Sequence, residues 1–347
     1  VAVGKDALQA TTTGSYSTAV GAEALETQTT ANYNTGVGFR ALRHTTSSNH
    51  TAVGYAALKE NTTGDSQTAV GKDALTNNTT GDENTAVGHE ALDANTTGSY
   101  NTATGQGALS SVSTGERNTA VGRRAGFNLT GDQNTAIGMN CLYENTNGQY
   151  NTALGSRALL NNTTADNNTA VGTDCAMNVT TGVGNTAVGK GAFLTSTTGD
   201  NNVSIGKDSM QDNTSGGNNV AIGFNALADN TTADGSVAVG YKALRKHTTG
   251  SSNTAVGYEA LTECTTGTQN VAIGSLALDA VTTAGKNTAI GHGSLGSNTG
   301  DQNTAVGRFA LGNNSSALNN VAVGFNALLE NTTGTDNVAV GSQALDA

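Results

Sequence analysis

"NTAVGYEALTECTTGTQN", residues 253–270, opens with a five-residue phrase that returns in near-identical form about every seventeen residues along the whole chain. With Val1 as position 1, new units begin at 18, 35, 51, 68, 85, 102, 119, 135, 152, 169, 186, 203, 220, 237, 254, 271, 288, 304, 321 and 338. That makes twenty full units and a partial one. The units opening at Thr35, Thr119 and Thr288 are one residue short and the register recovers at once, which places the deletions in turns.

The columns of this internal alignment carry the structural signal. Position 1 is Thr or Val, position 2 is Ala except at Gly36 and Ser204, and position 3 is Val, Ile or Leu except at Thr104. Such β-branched density predicts a strand. Position 4 is Gly in every unit from Gly4 to Gly341, the mark of a positive φ or of a backbone approach that leaves no room for a Cβ. Position 8 is Leu, Phe or Met in nineteen of twenty-one units. The exceptions, Gly126 and Ala176, are followed by Phe127 and Met177, which are expected to fill the same space. Positions 11–14 run Asn-Thr-Thr-Gly or a variant and position 17 is usually Asn, both turn chemistry. Each unit therefore reads as a short strand, a bend, a second short extended segment and a turn.

The 16 basic and 27 acidic side chains test this register, because all fall at positions 5, 6, 9, 10, 15 and 16. Those positions face solvent. A helical solenoid would need apolar residues at 3.6 spacing and would not place Gly in every turn. The fold class is all-β: a repetitive parallel β-solenoid or β-roll of about 17 residues per coil, twenty full coils plus a partial one. Residues 1–347 form a single continuous array, expected to be a segment of a longer chain. Stacked Asn at position 17 is expected to form an amide ladder, and the absence of Pro leaves every backbone N–H free to bond.

Within the strand, Val3 and Leu8 and their equivalents are assigned to the inside, leaving Ala at position 2 and Gly at position 4 as a smooth outer strip. A coil this small buries little apolar surface. Self-association over that strip, as a homotrimer or an end-to-end filament, is the expected remedy.

The stretches "NNVAIGFNAL" (218–227) and "NVAIGSLAL" (270–278) resemble the head repeats of trimeric autotransporter adhesins, with their Ser/Thr/Val-Ala-Ile/Val-Gly-x-x-Ala phrase. "NTAVGYEAL" with "NTTG" also resembles repeats of tail-fibre-like proteins of bacteria and phages. The resemblance covers the whole chain and implies a left-handed parallel β-roll, three rolls packed side by side, and attachment to surfaces. The unit here is longer than the usual head repeat.

A net charge of -11 with a pI near 4.7 disfavours nucleic acid and anionic membrane surfaces as partners. No apolar run approaches the roughly 18 residues of a membrane span, so no membrane insertion is expected of this segment. The expected function is a non-catalytic structural fibre or adhesin segment, extracellular, on a cell surface or in a virion fibre, meeting a host or environmental surface or a glycan. The alternatives are a polysaccharide-acting β-helix enzyme, which needs acids stacked on one face, and an ice-binding solenoid, for which the Thr pairs of the turns are candidates.

No catalytic, cofactor or metal set is expected. Asp73 with Asp82, and Asp200 with Asp208, read as solvated turn charges, and His44, His50, His89, His247 and His292 as scattered outward residues. Cys141 and Cys175 stand in for Ala at position 7, and Cys264 lies in a turn. The glycosylation-type phrases at Asn61, Asn78, Asn95, Asn162, Asn230 and Asn331 follow from turn composition. Candidate surface-binding residues are aromatic: Phe39 with Tyr55, and Phe224 with Tyr241 and Tyr258, at position 5 of successive coils. They form either a stabilising ladder or a platform for a glycan.

Overall fold

The computed structural model describes residues 1–346. The protein is an all-β, parallel β-solenoid with one strand of three residues in each coil, two in the first, as the spacing predicts. Two compact units make up the chain, Val1–Ala170 and Val171–Ala347. The first carries β1 (Ala2–Val3) to β10 (Thr152–Leu154), and the second β12 (Thr186–Val188) to β21 (Val338–Val340). Strand β11 (Thr169–Val171) spans the point in the sequence where one ends and the next begins.

Pairing is in register, column on column. In the first unit Thr68, Ala69 and Val70 of β5 (Thr68–Val70) face Thr85, Ala86 and Val87 of β6 (Thr85–Val87). In the second, Thr254, Ala255 and Val256 of β16 (Thr254–Val256) face Val271, Ala272 and Ile273 of β17 (Val271–Ile273). Each strand ends at the position-4 glycine, where both constraints inferred from sequence apply. Gly257 has φ +144°, and a Cβ built on it would lie 2.5 Å from the carbonyl oxygen of Gly274 in the next coil.

The expected second extended segment is instead a run of turns. Positions 6 and 8 are left-handed even where they are not glycine, with φ 52° at Glu259 and 54° at Leu261. Such conformations cost roughly 1–2 kcal/mol per residue. The cost is offset because the bent segment still bonds from coil to coil, as Leu25 N–H does to the Ala41 carbonyl at 3.0 Å. The same bend turns the leucine inward, and Leu25, Leu42 and Leu58 are fully buried.

The two strand faces are the reverse of the assignment made from sequence. Ala19, Ala52, Ala69 and the other position-2 residues of the internal coils are fully buried, whereas Val20, Val53, Val87 and Ile222 at position 3 are 37–38% exposed. Volume decides this. Position 2 faces the leucine column, since a Cβ on Gly36 would sit 3.3 Å from Leu25 Cγ. A β-branched side chain there would overpack a seventeen-residue coil. Ser204 marks the same contact, because its hydroxyl lies 2.6 Å from that of Ser209 at position 7.

Position 11 is a core column too, rather than part of the turn. Asn61, Asn78 and Asn95 are fully buried there. Asn78 Nδ2 donates to Asn61 Oδ1 at 2.8 Å and to the Gly81 carbonyl at 3.0 Å. Positions 8 and 11 share one volume: Gly126 is opposed by buried Leu129, and buried Phe193 by Ser196. Leu129, not Phe127, thus fills the space at Gly126. The expected position-17 ladder is present, running mainly from amide to backbone. Asn101 N–H donates to Asn84 Oδ1 at 2.9 Å, and Asn101 Nδ2 donates to the Gly115 carbonyl at 2.8 Å.

Gly257→Val should therefore cost more than about 3 kcal/mol, combining a forbidden φ with a backbone clash. Glu259→Lys, which removes a solvent-facing ion pair to Lys242 at 3.7 Å, should cost about 1 kcal/mol or less. Chemical denaturation of both variants checks this ordering, and equal losses would refute the register.

Candidate functional site

The position-5 aromatics do stack. Phe39 and Tyr55 lie 5.6 Å apart between ring centroids at 29°. Phe224 and Tyr241 lie 5.5 Å apart at 14°, and Tyr241 and Tyr258 5.1 Å apart at 8°. Because coils stack in register, each ring faces its neighbour, and both faces of Tyr241 are occupied. Cations cover further ring surface, with Lys207 Nζ 5.2 Å from the Phe224 centroid and Arg40 4.7 Å from that of Phe39. Ring edges and phenol hydroxyls are what these stacks offer to solvent, and Tyr258 is 51% exposed. The hydrogen bond from Lys242 to Tyr241, with Glu259 adding attraction, holds that ammonium above its ordinary pKa.

Two stacks were missed in the sequence. Tyr16 and Tyr33 at position 16 lie 5.2 Å apart at 4°, and Phe127 and Tyr143 at position 9 lie 5.2 Å apart at 7°. The signal was available, since each pair shares a column in successive coils.

The acidic pairs considered from sequence are not brought together as pairs. Asp73 bonds Lys72 at 2.7 Å and Asp208 bonds Lys207 at 3.2 Å, on column 6. Asp82 and Asp200, on column 15, are not merely solvated: their carboxylates accept the N–H of Asp65 at 2.8 Å and of Val183 at 2.7 Å in the preceding coil. Among the described residues no three His, Cys, Asp or Glu side chains converge on a possible metal position.

Two histidines expected outside are inside. His50 replaces Asn in column 17 and His247 replaces it in column 11, and both are buried. Burial pushes each imidazole down to about 4, opposed by Asp65 at His50 and by the backbone of Gly250 and Cys264 at His247. The other three stay outward. His44 pairs with Glu60 at 3.8 Å, His89 with Glu90 at 3.5 Å, and His292 meets Phe309 edge-on.

Cys264 also lies in column 11, buried, rather than in a turn. Burial pushes its thiol up to about 11 and those of Cys141 and Cys175 up to about 12, so none is a ready nucleophile. The glycosylation-type asparagines at 61, 78, 95, 162 and 230 are fully buried, and their amides are spent in the core. The turn threonines at position 12 are likewise committed, as Thr62 Oγ1 donates to the Thr79 carbonyl at 2.9 Å.

A uniform surface runs along the outer strand face of each unit, formed by Thr or Val at position 1 and Val, Ile or Leu at position 3 except at Thr104. It carries no charge. Comparison with known proteins finds no matching family model for this chain and no matching curated protein.

Two outcomes follow. Both histidines have folded pKa values near 4 against an ordinary 6.5, so the unfolded chain binds more protons between those limits. Stability is full above pH 6.5, falls as pH drops towards 4, and flattens below, by on the order of 3 kcal/mol per histidine. The double variant His50→Asn/His247→Asn, which restores the usual residue of each column, should flatten that window in urea titrations. Replacing Phe224, Tyr241 and Tyr258 together by Ser should lower stability by about 1–3 kcal/mol, at roughly 0.5–1.5 kcal/mol per stacked pair. Thermal melting followed by circular dichroism checks that loss.

Proposed function

We propose that this chain is a non-catalytic structural segment of an extracellular or cell-surface fibre, of the kind that trimeric autotransporter adhesin heads and tail-fibre-like repeats represent. Copies of it associate through the outer strand face. The observation that carries this proposal is the composition of that face: two uncharged columns, repeated coil after coil, with Val53, Val87, Val121 and Ile137 each 37–38% exposed. Ten three-residue strands at about 4.8 Å spacing, each roughly 10 Å long, give a flat strip of roughly 480 Å² in either unit. In the second unit Val203, Val220, Val237, Val271, Val321 and Val338 add position 1 to the apolar column, and extended contiguous apolar surface marks interaction sites. Three copies turned about a common axis bring this uncharged face into one shared interior. Phe39, Tyr55, Phe224, Tyr241 and Tyr258 lie on column 5, beyond the position-4 bend, and their ring edges remain available to a surface or glycan.

Mass measurement by light scattering tests the association. The wild-type chain is expected at three times 34.6 kDa. Val87→Asp with Val121→Asp is expected to reduce that to a single chain with unchanged circular dichroism. A wild-type monomer would refute it, and a polydisperse larger mass insensitive to these substitutions would point to end-to-end filaments instead.

Ice binding is favoured by one observation. Thr18, Thr35, Thr51, Thr68, Thr85, Thr102, Thr119, Thr135 and Thr152 stand in successive coils on the outer face, and none makes a side-chain hydrogen bond among the described residues. A monomer that shows thermal hysteresis would transfer the outer face to that function.

A further inference from the structure

We infer that the hollow between columns 6 and 9–10 of the coils opening at Thr119, Thr135 and Thr152 binds one neutral pyranose unit of a glycan. The inference rests on the adhesin proposal and adds a ligand class and residues to it. The hollow measures about 240 Å³ and is lined by Arg124, Asn140, Tyr143, Glu144, Leu160 and Asn161. This is below the roughly 300–1,000 Å³ of sites for drug-sized ligands, so it suits a single small ring.

Its chemistry is set by a break in the repeat. The coil opening at Thr119 has lost a residue, carries Gly126 at position 8 and supplies its core from Leu129. Phe127 is thereby released to column 9, where it packs face to face with Tyr143. Arg124 lies over Phe127, with its guanidinium carbon 5.6 Å from the ring centroid. Some cations of columns 6 and 10 meet acids of their own column in the adjoining coil, as Arg40 meets Glu23 at 2.8 Å and Lys246 meets Glu263 at 2.5 Å. The column neighbours of Arg124 are Gly107 and Asn140, which offer no charge.

Hydrogen-bonding capacity is left over on two lining residues. Arg124 Nε and Asn140 Oδ1 are shielded and have no partner among the described residues. Buried polar atoms normally do. Glu144 accepts from Asn128 Nδ2 at 3.0 Å through one carboxylate oxygen, which leaves the other for a ligand. A guanidinium donor, an amide and a carboxylate acceptor beside the apolar surface of Tyr143 and Leu160 match a sugar, whose hydroxyls both donate and accept and whose ring carbons are apolar. Glu144 opposes an anion and Arg124 opposes a cation, which leaves a neutral polyhydroxylated ring. The hollow lies beyond the position-4 bend from the outer strand face, so association of copies leaves it open.

Saturation-transfer NMR on the full chain with methyl pyranosides of glucose, galactose, mannose and N-acetylglucosamine tests the inference. At least one should bind saturably. Arg124→Asn keeps a residue tolerant of the left-handed backbone at φ 53°. Glu144→Ala introduces a residue already present in that column at Ala94 and Ala280. Each should weaken binding by roughly fivefold or more, the scale of one lost hydrogen bond, without changing the melting temperature. Binding by none of the four, equal binding by the variants, or preference for a methyl glucuronide over the neutral sugars would each overturn the inference. If Val87→Asp with Val121→Asp still dissociates the wild-type oligomer while no sugar binds, the saccharide site alone is lost and the fibre proposal stands.

Discussion

Within each unit the coils of this protein rest backbone directly on backbone, and the contact at position 4 is so close that a side-chain carbon has no place there. From that approach much else follows. It fixes glycine in the column, ends each strand after three residues, and bends the chain so that position 8 returns to the interior. It also sets the repeat length, since a coil with more or fewer residues must lose or gain them where no such contact exists. The three short units still pair in register with their neighbours: Thr288, Ala289 and Ile290 face Thr304, Ala305 and Val306 across the shortened coil.

A coil of about seventeen residues encloses too little apolar volume for an ordinary core, and the interior is correspondingly unusual. Alanine and leucine columns alternate with two columns of buried asparagine, whose amides bond to the coil above or below. Buried amides are tolerable when paired, and stacking supplies partners at most steps because the same group recurs at the strand spacing, Asn95 Oδ1 and Asn314 Oδ1 being left without one. Histidine and cysteine enter these columns as substitutes of similar size. His247 makes that substitution with no partner within hydrogen-bond distance of its ring nitrogens, and burial there favours the neutral ring.

Strand, glycine bend, coil length and solvent-facing columns were all legible in the sequence, because twenty copies of one unit amount to an alignment in which sterics show as invariance and exposure shows as charge. Inside and outside of the strand were not. Alternation says that positions 1 and 3 share a face but gives no sign to it, and hydrophobicity points the wrong way when the enclosed space is too narrow for valine. The deciding hints were small. Ser204 is accompanied by Ser209 in the same unit, Leu129 accompanies Gly126, and Ser196 accompanies Phe193, each a compensation across the interior. Column 11 reads as part of a turn because asparagine and threonine are turn residues. Yet Val112, Leu129, Val179 and Val281 occupy it and no charge does, which is the signature of a buried position.

The aromatic columns were easier to find than to interpret. Sequence shows that Phe224, Tyr241 and Tyr258 share a column, but whether a ring offers its face or its edge depends on the direction of stacking. In a solenoid, rings in one column turn their faces along the stack, so the wider a ladder grows, the less face it presents to a ligand. Recognition by flat stacking on such a ladder is then confined to its end rings, while polar edges and irregular hollows beside it remain open along its length. A repeat architecture of this kind therefore separates its duties. Columns under steric control build the scaffold, and ligand chemistry falls to the solvent-facing columns where consecutive coils differ, as Arg124, Asn140, Tyr143 and Glu144 do around their shared hollow.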